Sequence, residues 1–295
     1  MREDRPSERG SMKSEESTER ERRNRMCTLI AVYRTVPDRW LVLAANRDEY
    51  LDRPAEGPAI RVLEKGAVLA PLDLKAGGTW IGMNPSGVLC ALTNLSGGEN
   101  DPNRLSRGKI VTDCLSETRA SDAAETLKHL GQDQYNAFNC FVCDRENAFV
   151  AVYRGLPRVE ALEEGVHVIG NGDALSSPVP KVERLEKQVR ALVAGPEEDL
   201  LASLGDVCRE HGAAKNELDE TCVHLADTYG TRSSMLIELG DEFGQVVPAS
   251  VSESRFFYSD GPPCTAPYEN LSPLLQEFER MPNNETAEFL ARNAS

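Results

Sequence analysis

Cys27 is the residue around which this sequence could do chemistry. It follows Met26 directly. A chain started at Met26 and trimmed of it would carry a thiol and a free α-amine on one residue. The thiolate is the nucleophilic form of cysteine. An α-amino group titrates at roughly 7.7 to 8.0, so it could take the thiol proton without a separate histidine. The plainer reading is a small buried side chain opening a strand, and the Met-Cys dipeptide does not choose between the two.

Several polar groups stand at the ends of apolar runs. Asn46-Arg47-Asp48-Glu49 ends the second such run. It could hold a substrate or orient a nucleophile, or be a solvated turn. Gly77-Gly78 precedes Thr79-Trp80, and a glycine pair lets backbone approach a ligand or simply makes a turn. Asn94 and Asn171 each end a strand. An Asn amide there could donate to a developing oxyanion, although Asn171-Gly172 is also a common turn signal. Arg232, in Tyr229-Gly230-Thr231-Arg232-Ser233-Ser234, could pair with a carboxylate or lie on the surface.

The elements that must position these groups are legible as runs. Residues 27–33 and 40–45 are continuous apolar stretches of strand length. Strands are also expected at 79–82, 88–93, 139–144, 148–153, 166–169 and 235–239, with Asn84-Pro85-Ser86-Gly87 as a turn. Gln245–Val247 should pair with 235–239 in a hairpin. Helices are expected within 107–130, at 180–193, at 197–208 and in the tail from Leu271 to Leu290. This order suggests an α+β fold with helices packed on stacked, largely antiparallel sheets. One domain from 26 to 295 is the simplest division.

Residues 1–25 contain no Val, Ile, Leu or aromatic side chain, and a segment that cannot bury apolar surface is expected to be disordered. Arg22-Arg23 shortly before Met26 also matches what a ribosome-binding sequence would give if read as protein. The working chain is therefore expected to begin at Cys27. The net charge of −15 argues against nucleic acid or an anionic membrane surface as partner. No run of about 18 apolar residues suggests a membrane span. Eight cysteines in 295 residues read as reduced thiols of a cytoplasmic protein rather than a disulfide scaffold. Cys140 and Cys143 would point to opposite faces of a strand, and the four histidines show no ligand spacing, so neither metal nor cofactor is expected.

Cys27-Thr28-Leu29, Asn46-Arg47-Asp48-Glu49, Gly77-Gly78-Thr79-Trp80, Leu92-Thr93-Asn94, Tyr135 to Asn139 and Tyr229 to Ser234 occur in order across the chain. Together they resemble the NRDE family, also called the Transport and Golgi Organisation family. A more distant resemblance runs to choloylglycine-hydrolase-type N-terminal-nucleophile (Ntn) hydrolases, through Cys27, the Gly82-to-Gly87 turn leading to Asn94, Asn171 and Arg232. That resemblance implies a four-layer αββα sandwich and acyl transfer on a small amide or thioester. Cys27 would attack, Asn94 and Asn171 would hold the oxyanion, and Arg47, Asp48 and Arg232 would orient thiol and amine. Asn46, Glu49 and Trp80 are the expected binding residues. Which of Asn46 and Arg47 faces the nucleophile is left open. The NRDE resemblance also implies an alternative, a non-catalytic binder or carrier of haem or acyl-CoA-type lipids. Substrate identity and oligomeric state stay open.

Overall fold

Alternation of side chains along a strand explains the unbroken apolar runs. In β1 (Thr28–Val36), Leu29, Ala31 and Tyr33 enter one core cluster while Ile30 and Val32 enter another. In β2 (Arg39–Tyr50), Leu41 and Leu43 face the first cluster, and Val42 and Ala44 the second. A strand covered on both faces needs no polar positions, so it reads as continuous.

The computed structural model describes residues 27–63, 66–97, 100–196, 199–212, 214, 216–244 and 253–281. Two seven-stranded sheets form its centre. The second contains β3 (Ala55–Leu63), β4 (Gly66–Asp73), β5 (Ile81–Met83), β6 (Leu89–Asn94), β7 (Phe138–Cys143), β8 (Ala148–Tyr153) and β9 (Pro157–Leu162), paired in chain order. The first joins β1 and β2 to β10 (Gly165–Ile169), β11 (His224–Leu225), β12 (Tyr229–Gly240), β13 (Arg255–Ser259) and β14 (Glu269–Asn270). Its order is β10-β1-β2-β12-β13-β14, with β11 also on β12. The pairings between these strands are antiparallel.

Three apolar clusters separate four layers. One fills the space between the sheets, from Leu29, Leu43 and Ile237 to Ile81, Leu89 and Phe141. A second lies between the second sheet and α1 (Gly108–Cys114) with α2 (Ala120–Lys128). The third lies between the first sheet and α3 (Pro180–Ala194) with α4 (Leu200–Arg209). The architecture is thus helix, sheet, sheet, helix, as expected. A last helix, α5 (Ser272–Glu279), turns Leu275 and Phe278 into the space between the sheets.

Several boundaries differ from the sequence expectation. Within 107–130 the two expected helices run over Gly108–Cys114 and Ala120–Lys128, shorter than the stretch as a whole. The helix expected from 197 begins at Leu200, because the Asp199 carboxylate caps it and accepts from the Ala202 amide at 3.1 Å. The tail helix ends at Glu279, and Asn283 to Leu290 lie outside the described residues, as does Gln245–Val247. Strands β3, β4, β9, β11, β13 and β14 were not expected. β3 and β9 are the edges of their sheet and are largely part-exposed, so they lack a strong apolar signature. β3 also carries Pro58, tolerated at an edge because the missing N–H faces no partner.

Candidate active site

Cys27 stands at the first residue before β1, where the strand emerges from the sandwich. A cleft of about 450 Å³ opens there. Its walls come from the end of β2 (Arg47, Asp48, Glu49), the turn and strand around Gly78 to Trp80, the end of β6 (Leu92, Asn94) and the segment from Asn100 to Gly108. Six of the expected site residues therefore share one cleft: Cys27, Arg47, Asp48, Glu49, Trp80 and Asn94. They span 68 positions of sequence; the β1–β2 pairing groups those of the first sheet, the β5–β6 pairing those of the second, and the packing of the two sheets joins the groups.

Strand alternation settles which of Asn46 and Arg47 faces the thiol. The Arg47 guanidinium lies over the Trp80 ring, 4.2 Å from its centroid, and lines the cleft. Asn46 points the other way. Its Nδ2 donates to the carbonyls of Cys208 at 2.9 Å and Thr221 at 2.8 Å, pinning the end of α4 and the loop after it. Asn46 and Cys27 both line a separate small pocket of about 20 Å³.

Asn171 and Arg232 are held elsewhere. Asn171 does not line the cleft; its Nδ2 donates to the backbone carbonyl of Asn94. It therefore fixes the strand end that carries Asn94. Arg232 occupies a bulge where β12 shifts register against β2. Its Nη1 lies 2.9 Å from Asp260 Oδ1, and it too is outside the cleft lining. The sequence grouped these residues as strand ends, but strand parity decides which strand-end side chains meet.

Gly78 is not an approach point for ligand alone. A Cβ there would lie 2.8 Å from the Gly108 carbonyl carbon. Two glycines let the β4–β5 connection touch the start of α1, and that contact closes one cleft wall.

The electrostatics are dominated by burial. The Cys27 thiol is pushed up to about 12, first by burial and then by the Asp48 charge. Arg47 opposes this, but more weakly. The arginine effect on the thiol is present and outweighed. Asp48 is nearly fully buried and its carboxyl is raised to about 7 by burial, against the pull of Lys181, a hydrogen bond from Thr231 and Arg47. Thr231 Oγ1 donates to Asp48 Oδ1 at 2.6 Å, while Asp48 Oδ2 is buried without a hydrogen-bond partner. The Cys27 sulfur lies 3.8 Å from the Asp48 carbonyl oxygen. Burial also lowers Arg47 and Lys181.

Lys181 was missed by sequence reasoning. It is 3 % exposed, its Nζ has no hydrogen-bond partner, and it interacts electrostatically with Asp48 and Cys27. The available signal was positional: it follows Pro180 in the first turn of α3, where the helix dipole disfavours a cation. Asn139 was quoted only as part of a motif. It is fully buried, and its Nδ2 donates to Gly170 O at 3.0 Å and Gly172 O at 2.8 Å, holding the segment that bears Asn171.

A model of the family described as Transport and Golgi organisation 2 matches residues 26–247. This chain belongs to that family. It is 31% identical over 237 residues to the Transport and Golgi organization 2 homolog of Mus musculus, covering 70% of this chain and 84% of that protein. It is 33% identical over 187 residues to the Homo sapiens homolog, covering 59% and 66%. Among solved structures, two variants of the conjugated bile acid hydrolase from Clostridium perfringens superpose with TM-scores of 0.50 and 0.51 at 11% identity. Each covers 84% of this chain and 93% of the hydrolase. The fold is accordingly the Ntn-hydrolase αββα sandwich. Among the described residues no helix is long and apolar enough to cross a membrane.

Proposed function

We propose that this protein is an N-terminal-cysteine hydrolase that cleaves a small amide or thioester by acyl transfer, with a working chain that forms one domain beginning at Cys27. The observation that carries the proposal is the single cleft lined by Cys27, Arg47, Asp48 and Asn94 together. A freed α-amine would arrive beside Asp48, whose Oδ2 is buried and unpartnered. An ammonium there lowers the pKa of a neighbouring carboxyl and of a thiol, reversing the two upward shifts seen with the chain continued upstream.

In this reaction the thiol gives its proton to the amine as sulfur attacks the carbonyl carbon. The Asn94 amide donates to the oxyanion. The carbon–nitrogen or carbon–sulfur bond breaks, and the amine returns its proton to the leaving group. Water then hydrolyses the thioester on Cys27, releasing a carboxylic acid and restoring the thiol. Asn171 acts through Asn94 as a positioning residue. The eight unpaired thiols are consistent with a cytoplasmic setting.

The test is a preparation that begins at Cys27, assayed against small amides and thioesters. Expected are a covalent acyl adduct on Cys27 by mass spectrometry and loss of turnover in Cys27→Ala. Equal turnover by Cys27→Ala would overturn the catalytic assignment.

One observation favours a second reading. Arg47 Nη1 is buried without a hydrogen-bond partner, as in a site that awaits an anion. A carrier of haem or an acyl-CoA-type lipid would use that cation without needing the free amine. Binding that is unchanged by blocking the Cys27 amine, with no turnover, would favour the carrier.

A further inference from the structure

A second cluster of chemistry-bearing side chains lies outside the cleft. Cys222 and His224 flank Val223 where the chain enters β11, and alternation turns both to one side. Cys264 comes from the turn between β13 and β14. His224 Nε2 is 3.1 Å from Cys264 Sγ and 3.5 Å from Cys222 Sγ, and the two sulfurs are 3.5 Å apart. His211, just past α4, brings a second imidazole. Its ring centroid is 5.2 Å from that of His224, and its donor nitrogen lies within 4.8 Å of His224 and Cys264 donor atoms.

We propose that Cys222, His224, Cys264 and His211 bind one zinc ion in a closed structural site. Zinc–sulfur and zinc–nitrogen bonds of about 2.3 and 2.0–2.1 Å put tetrahedral edges at about 3.8 Å between sulfurs and about 3.6 Å between sulfur and nitrogen. The three donors already in mutual contact lie within about half an ångström of those edges, and His211, within 4.8 Å of the His224 and Cys264 donors, must move toward Cys222 to close the fourth corner. Thiolate and imidazole donors without carboxylate select a borderline-soft ion over magnesium or calcium. Two thiols lose their protons to solvent on binding, so two thiolates, two neutral imidazoles and one divalent ion leave the site uncharged. His211 and His224 are exposed, which gives the ion a route in.

The molecule provides its own contrast. Cys90, Cys114 and Cys140 also converge, with Cys90 and Cys140 sulfurs 3.4 Å apart. All three are fully buried in the apolar cluster under α1. Three thiolates would leave a divalent site negatively charged with no compensation, and nothing connects it to solvent. Cys143 stands apart from this triple, on the other face of β7, in the inter-sheet core.

The zinc would fasten a strip of chain that supports Asp48. Val223 N donates to Thr231 Oγ1 at 2.8 Å, Thr231 N donates to Val223 O at 2.9 Å, and Thr231 in turn holds Asp48. Gly230 permits this contact, since a Cβ there would lie 2.5 Å from Val223 O. The site does not depend on whether Cys27 is catalytic.

The experiment uses the full chain, purified under reducing conditions and dialysed against equimolar zinc. Elemental analysis should find one zinc per chain, and chelation should expose two further titratable thiols and lower Tm by several degrees. Replacement with cobalt should give tetrahedral ligand-field bands and a thiolate charge-transfer band. Cys264→Ser should abolish stoichiometric zinc. His211→Ala, at an exposed position, should keep its circular dichroism and bind about tenfold or more weakly through loss of one of four ligands. Wild-type protein that retains no zinc, or that yields a Cys222–Cys264 disulfide on peptide mapping, would overturn the proposal. Undiminished zinc in Cys264→Ser would do the same.

Discussion

Asp48 and Lys181 are both nearly fully buried, and each leaves a charged atom without a hydrogen bond. Their attraction is what makes either charge tolerable. The folded Asp48 carboxyl titrates near about 7 against an ordinary 3.8, so the native state holds this proton more tightly than the unfolded chain. The resulting stability is fully present below about 3.8 and is lost as pH rises through about 7. Urea midpoints should fall across that window in the wild type, and Asp48→Asn should flatten the fall. Lys181→Met removes the cation. It should cost on the order of 3 kcal/mol at pH 8, where Asp48 is ionised, and less at pH 5, where the carboxyl is protonated. An equal cost at both pH values would mean that Lys181 acts only through packing. Cys27 offers a parallel measurement. With the chain continued upstream its thiol sits at about 12, so iodoacetamide at neutral pH should label it slowly. A preparation beginning at Cys27 should label it at least about tenfold faster, because the thiolate fraction rises as the pKa falls.

The runs at 27–33 and 40–45 announced their strands because both faces of that sheet are covered, and the helices under them were readable from their apolar spacing. The fold was legible in those strands because burial there is two-sided, although β4, with Ala67 and Leu69 in one cluster and Val68 and Ala70 in another, was not expected despite the same cover. It was not legible in β3 and β9, whose edge positions leave them half solvated. In the site, Cys27, Asn94 and the Asn46-to-Glu49 quartet were legible as polar punctuation at strand ends. Which of them point into the cleft was not, because that depends on parity and register: Arg47 faces Trp80 while Asn46 faces the end of α4. Nor were the local partners of Asn171 and Arg232 legible: one hydrogen-bonds to the Asn94 backbone and the other sits in a bulge. The Gly78–Gly108 contact belongs to this scale. Gly78→Ala would push a methyl to 2.8 Å from the Gly108 carbonyl carbon, and relief requires α1 and the β4–β5 turn to part. The expected cost is about 1–3 kcal/mol of overpacking, read as a lower Tm. Turnover or ligand affinity should fall with it, since that contact is a wall of the cleft.

Across the whole molecule the charge is uneven. The chain carries a net charge of −15, yet the cleft gathers Arg47, Arg53, Lys75, Arg104 and Arg107 beside Asp48, Glu49, Asp73 and Asp101. Most of that positive charge is already committed. Arg53 pairs with Asp73 at 2.6 Å and Glu49 at 3.6 Å, Arg104 with Asp133 at 3.3 Å, and Arg107 donates to Ala137 O at 3.1 Å. Arg47 differs from these three arginines: its Nη1 is buried and unpartnered and its guanidinium lies 4.2 Å from the Trp80 ring centroid. Preorganised in this way, it loses little freedom on meeting a carboxylate or phosphate. A hydrogen bond to a charged group is worth about 1.5–3 kcal/mol, so Arg47→Gln should weaken an anionic ligand roughly tenfold to a hundredfold. A neutral ligand of the same shape should be nearly unaffected. Titrating a coenzyme A thioester and an uncharged thioester of the same acyl chain against both proteins separates the cases. Rising salt should weaken only the anionic ligand and only modestly, since the attraction operates inside the cleft, where screening is reduced, and the molecule's overall negative field opposes its approach. If Arg47→Gln weakened both ligands equally, the arginine would be serving Trp80 and the cleft wall. The anion preference, and the carrier reading that rests on it, would then fall together.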